Sequence, residues 1–196
     1  DKPMARAEVI YNDFQVDLEK KYAAVSKEWT RIYDSFRGAT ISEEYLALNK
    51  KLHENWGGFG TSSSKWAEVV DFLYRAIEAQ SLVDYGCGKG LLKKSLPSAL
   101  HVRNYDPAIP EYMEKPPPSD LIVSTDVLEH IEPHLLSSVL KDLQKMGKKS
   151  IFLVISCRPA KKFLEDGRNA HLIQEDEVWW MDRLRGYFKC VELLDK

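Results

Sequence analysis

The sequence predicts an α/β fold: a mostly parallel sheet flanked by helices, with a helical extension at the N-terminus. Three observations predict it. From residue 82 onward, short β-rich apolar runs alternate with stretches of helical period, the pattern of strands joined by right-handed crossovers. The first of these runs, "LVDY", breaks at Gly86, Gly88 and Gly90, where a strand should hand over to a helix. Residues 5 to 56, in contrast, hold a single glycine, Gly38, and repeat apolar residues at three- and four-residue steps.

The elements follow in chain order. In the first segment Val9, Phe14, Val16, Leu18, Tyr22, Val25, Trp29 and Ile32 mark one long helix. "SEEYLALNKKLHENW" opens on Ser42 as an N-cap and carries Tyr45, Leu46, Leu48 and Leu52. "GGFGTSSSKW" breaks the pattern, and "KWAEVVDFLYRAIEA" is a third helix. "SLVDY" is then a buried strand, "LLKKSL" a short helix, "HVRNYD" a second strand and "DLIVST" a third. "EKPPPSD" is a stiff extended connector. "PHLLSSVLKDLQKM" is an amphipathic helix with Pro133 suited to its first turn. "SIFLVIS" is the strongest strand, "EDEVWWMDRLRGYF" a helix and "KCVELL" a closing strand. Trp29, Trp56, Trp66 and at least one of Trp179 and Trp180 are expected to pack in cores. The boundary falls near 58/59: residues 1–58 form the extension and 59–196 the sheet domain.

Composition removes several classes of function. With 28 basic and 30 acidic residues in 196, the formal charge of −2 gives no global footprint for nucleic acid, although a local patch remains open. Cys87, Cys157 and Cys190 are odd in number and far apart, against a disulfide framework or a zinc knuckle and in keeping with a reducing compartment. No run approaches the eighteen or so apolar residues of a membrane span. A cytoplasmic protein is the expectation. The N-terminal helices are expected either to cap the substrate site or to form a homodimer contact.

In an open parallel sheet, ligands bind beyond the C-terminal strand ends at the point where strand order reverses. The glycine turn fits that place, and Asp106, ending the second strand roughly twenty residues on, fits an acid that accepts ribose hydroxyls. The spacing is G-x-G-x-G rather than the dinucleotide fingerprint G-x-G-x-x-G, which weakens a nicotinamide or flavin oxidoreductase.

The set "LVDYGCGKG", "NYDPA" and "DLIVSTDVLEHIEP" resembles class I S-adenosylmethionine-dependent methyltransferases over about residues 60–196. More narrowly, "FGTSSSKW", "YDPAIPEY", "SCRPAKKFLEDGRNAHLI" and "WW" look like a group of phage and bacterial methyltransferase-domain proteins. The resemblance implies a Rossmann-like fold with S-adenosylmethionine as cofactor. Asp84, Gly86, Gly88 and Gly90 would line it, Asp106 would hold the ribose, and Asp126 would lie near the sulfonium and the substrate. The segment from Asp106 to Leu121 is too short for the helix and strand of many members, so Pro107 to Ile109 would pack against the adenine.

Methyl transfer needs an in-line arrangement and often one base, since the cofactor carries the reactivity. The candidate catalytic residues are Asp126, His130 and His171, with His130 the best base by side-chain type. Were Asp126 to His130 one helical turn, Asp126, Glu129 and His130 would share a face, with His134 or His171 able to complete metal ligation. In small-molecule methyltransferases, which this stretch also resembles, "DVLEH" is common without a metal; that is the expectation here, and no metal is assigned. Glu129, Arg158, Arg168 and His171 are candidate substrate contacts; Lys161 and Lys162 add to a cationic loop suited to an acidic or phosphorylated acceptor. Gly60, Ser64, Lys65 and Trp66 are candidates for a segment folding over the cofactor. The expected function is methyl transfer to a small polar acceptor: phosphorylated, sugar or nucleotide-like. The alternatives are an RNA 2′-O-methyltransferase with a metal-assisted site and a non-catalytic cofactor-binding scaffold.

Overall fold

The structure, a computed structural model, describes residues 12–36, 38–55, 62–189 and 191. Packing divides the chain into two units, Asp1–Ala39 and Thr40–Lys196. The first carries α1 (Asn12–Phe36), the long helix its period predicts. Trp29, expected in a core, is exposed there.

The second unit opens with α2 (Glu43–Asn55), a 3-10 turn at Ser62–Trp66 and α3 (Ala67–Ala76). The alternating part follows: β1 (Leu82–Tyr85), α4 (Leu91–Ser95), β2 (Val102–Tyr105), β3 (Ser119–Thr125), α5 (Leu136–Met146), β4 (Gly147–Val154) and α6 (Glu177–Arg185). The four strands form one sheet in the order β2-β1-β3-β4, every pairing parallel. This is an α/β architecture of Rossmann-like kind. From β1 the chain crosses to β2 on one side and then returns to β3 on the other, so the order reverses at β1. The crossover between β2 and β3 contains no helix longer than the 3-10 turn Pro110–Tyr112, as the short proline-rich connector predicts. The expected closing strand falls on residues 189–194, of which 190 and 192–194 lie outside the described residues.

Alternation along the strands sorts the core into two faces. Val83, Tyr85 and Ile122 bury against Val139, Leu140 and Leu143 of α5 and Trp180 and Leu184 of α6. Leu82, Leu121 and Val123 bury on the other face with Val70 and Tyr74 of α3 and with Leu92. Every residue of β1 is buried, the signature of a strand covered on both faces. Trp66 joins the second core, its ring edge-on to Phe152 with centroids 5.8 Å apart. Asp176 caps α6 by accepting from the Trp179 N–H at 2.9 Å.

α2 is fastened from a distance. Ser42 caps it as expected, accepting from the Tyr45 N–H at 3.1 Å. The Ser42 N–H and hydroxyl both donate to the Glu132 carboxylate, at 2.9 and 2.8 Å. Tyr45 and Leu52 then pack with Leu164 and Ala170 of the segment after β4. Among the described residues no helix is long and apolar enough to cross a membrane.

Candidate functional site

A cavity of about 490 Å³ opens at the C-terminal ends of β1, β2 and β3, a volume that suits a small organic ligand. Gly86 to Gly88, Asp106 and Pro107 line one side, Thr125 to Val127 and Glu129 to Ile131 the floor, and α2 with the segment after β4 the far wall.

Gly86, Gly88 and Gly90 have φ of +75°, +53° and +65°, where a side chain is strained. A Cβ on Gly86 would lie 2.5 Å from Val127 Cγ2, and one on Gly90 2.4 Å from Asn104 Nδ2. Both glycines are therefore demanded by the fold; Gly86 and Gly88 line the cavity, whereas Gly90, expected there too, does not, since it packs against Asn104 and Tyr112. The turn also uses its own donors. The Gly86 and Cys87 N–H groups donate to the Tyr105 carbonyl, the Gly90 N–H to the Cys87 carbonyl, and the Gly88 N–H to Asp106 Oδ2.

Asp106 is buried and accepts a second bond from the Ala108 N–H at 2.9 Å. It pins the turn to the end of β2, and its two oxygens retain lone pairs for further donors. Asp84 lies behind the turn rather than on the cavity surface, 1% exposed, and its Oδ2 has no hydrogen-bond partner. Burial, with the Asp106 charge in second place, pushes its carboxyl up to about 7. Burial likewise raises the Cys87 thiol, further aided by Asp84 and Asp106, so Cys87 is a protonated wall residue rather than a nucleophile.

This acid gives a pH-dependent prediction. Below about pH 4 Asp84 is neutral in folded and unfolded chains alike. Between about 4 and 7 the unfolded chain releases a proton that the folded chain retains, so the stability Asp84 contributes is lost as pH rises through that window. The Asp84→Asn variant is expected to gain on the parent across it, levelling off at roughly 3–5 kcal/mol. Urea midpoints measured at several pH values check this; parallel curves for the two proteins would contradict it.

The floor departs from the helical turn considered for it. Asp126 has a left-handed backbone, φ +54°, tolerable for Asp and uncommon otherwise. Only Leu128–His130 form a 3-10 turn, so Asp126, Glu129 and His130 do not share one helical face. Asp126 lines the cavity and faces Lys65, with Nζ 3.6 Å from Oδ2. Glu129 is wholly buried; its Oε1 accepts from the Ser156 N–H at 2.9 Å while Oε2 has no hydrogen-bond partner. Burial pushes this carboxyl up to about 7 as well.

His130 and His171 meet across the cavity from different segments, rings edge to face with centroids 4.7 Å apart. His130 Nδ1 lies 2.7 Å from the Ala170 carbonyl oxygen, and His171 Nδ1 2.5 Å from that of Arg158. The segment carrying His171 is ordered by its own bonds. Asn169 brackets Ala160 through both amide atoms, and Gly167 turns a small hairpin with φ +85°. Arg158, Lys161 and Lys162 line the cavity and keep its far side cationic.

Arg168 is placed elsewhere. Its guanidinium pairs with Asp166 at 2.6 Å and lies 3.7 Å from Glu44, outside the residues lining the cavity. Gly60 lies outside the described residues. Ser64 and Trp66 do not line the cavity, whereas Ser62 and Ser63 do; Ser63 Oγ is buried without a hydrogen-bond partner. Tyr45 and Asn49 of α2, a helix of the expected N-terminal extension, also line it. The signal that could have found them is the polar Asn49 one turn from Tyr45 on the apolar stripe.

Comparison with protein-family models, curated proteins and solved structures gives no match.

Proposed function

We propose that this protein is an S-adenosylmethionine-dependent methyltransferase acting on a small polar acceptor, with the donor seated between the glycine turn and the floor. The observation that carries the reading is the chemistry of the turn. Its Gly86, Cys87, Gly88 and Gly90 N–H groups are given to protein acceptors, while two acids, Asp84 and Asp106, are buried beside it. A pyrophosphate needs the opposite: open N–H groups and positive potential. A ligand with a cationic ammonium and sulfonium and a ribose diol matches what is present.

In this arrangement Asp106 accepts from the ribose hydroxyls, and a cationic end seated in the cavity favours the ionised form of Asp84, which then lends it negative potential from behind the turn. Pro107 offers an apolar surface to the adenine. Asp126, held by Lys65 at the end of β3, faces the space where the methyl and the acceptor meet. His130 and His171 stand on the acceptor side, and an imidazole whose Nε2 is not ligating a metal can take a proton there from an attacking hydroxyl or amine. Arg158, Lys161 and Lys162 favour an acceptor carrying negative charge. The −2 net charge gives no support for a long nucleic-acid substrate over a small one.

The test is transfer of a labelled methyl group from S-adenosylmethionine to a panel of phosphorylated sugars, nucleotides and short RNAs, with S-adenosylhomocysteine as the measured product. Product formation that requires Asp106 supports the enzyme. Binding of the cofactor with no turnover on any member, with or without divalent cations, would favour the scaffold.

A further inference from the structure

Glu129, His130 and His171 each place one ligand atom within 4.8 Å of the others. They come from two segments: Glu129 and His130 from the floor after β3, His171 from the segment after β4. Three features of the trio suit a cation. Glu129 Oε2 is fully buried and has no hydrogen-bond partner. Ionised, it is an uncompensated buried charge; protonated, its O–H has no acceptor, so either state lacks a partner. Both histidines set an Nδ1 against a backbone carbonyl, which can only accept. Each Nδ1 therefore carries the hydrogen and each Nε2 the lone pair, the tautomer that metal-bound histidines take when a carbonyl fixes the ring. Finally, the Ser156 N–H on Glu129 Oε1 fixes the carboxylate so that its other oxygen is the one presented.

We propose that Glu129, His130 and His171 form a binding site for a first-row divalent transition cation, and that the ion fastens the segment 156–173 to the floor of the cavity. Two imidazoles and one carboxylate prefer manganese, cobalt or zinc to magnesium or calcium, which favour all-oxygen sets. Three protein ligands leave positions open toward the cavity for water or an acceptor oxygen. Two donor atoms on one ion, each about 2.1 Å from it, stand roughly 3–3.5 Å apart. The widest of the present separations, up to 4.8 Å, thus closes by roughly 1.3–1.8 Å when the ion binds. Glu129 and His130 are neighbours on a short turn closed by its own bond, the His130 N–H donating to the Val127 carbonyl at 2.9 Å. The closure falls on the His171 side. The ion site shares the cavity of the proposed methyl donor but not its premise, because cation binding is read without any cofactor.

The experiment is titration of chelator-stripped protein with Co²⁺, followed by its visible absorption, with Mg²⁺ as comparator and no cofactor present. One equivalent binding with the spectrum of a nitrogen- and oxygen-ligated protein site is expected, with Mg²⁺ failing to compete at equal concentration. Glu129→Gln and His171→Ala should each weaken Co²⁺ binding roughly 100-fold or more, since even outer partners of metal ligands cost about 10–100-fold. His171→Cys keeps a ligand at the same place and should bind Co²⁺ with a new thiolate charge-transfer band, which a variant that had merely lost its fold would not show. Bound cobalt should also slow tryptic cleavage at Lys161, Lys162 and Arg168. Absence of stoichiometric binding, a spectrum of the aquo ion only, or affinity indifferent to Glu129→Gln and His171→Ala would overturn the site. Unchanged tryptic cleavage with the ion bound would overturn the fastening of the segment.

Discussion

Asp106→Ala should lower the affinity for S-adenosylmethionine by about 10²–10⁴-fold. Two ribose hydroxyls donating to one carboxylate are two charge-assisted bonds at about 1.5–3 kcal/mol each, and their sum sets that range. The same carboxylate accepts from the Gly88 and Ala108 N–H groups, so the variant also loses the pin between the turn and β2. Affinity must therefore be read well below the variant's melting temperature. A ligand-side comparison separates the two roles. An S-adenosylhomocysteine analogue lacking a ribose hydroxyl should bind the parent less tightly than the intact ligand does, and the variant no less tightly. Equal losses on both proteins, or an unaltered affinity in Asp106→Ala, would remove Asp106 from the ribose.

Gly86→Ala should cost about 3 kcal/mol of stability, lowering the melting temperature by roughly 6–12 °C in a chain of this size. Part of the loss is the left-handed backbone at φ +75°, and part is the Cβ placed 2.5 Å from Val127 Cγ2. Pairing it with Val127→Ala relieves the second part alone, so the two changes should be less than additive. Strict additivity in thermal melts would show that Val127 moves aside without cost.

The framework could be read from the sequence because its causes are local. Strands buried on both faces produce unbroken apolar runs, and a turn at three positive φ values selects glycine at Gly86, Gly88 and Gly90. The wall of the site could not be read so. α2 joins it through Ser42 and Glu132, ninety positions apart, and no local period reports such a contact. Asp126 escaped for another reason: Asp is acceptable in a helical turn and in a left-handed one, and "TDVLEH" does not choose between them. Arg168 was open to a better reading. In "EDGR" an aspartate two residues before an arginine invites the local turn seen here, with the Arg168 N–H donating to Asp166 Oδ1 at 3.0 Å.

Calorimetric titration of the purified, metal-free protein with S-adenosylmethionine, S-adenosylhomocysteine and NAD reads the identity of the donor without any acceptor. Micromolar binding of both sulfur ligands and none of NAD is expected, because the turn offers buried acids and gives its Gly86, Cys87, Gly88 and Gly90 N–H groups to protein acceptors. Preference for NAD, or failure of all three to bind, would contradict S-adenosylmethionine as the donor.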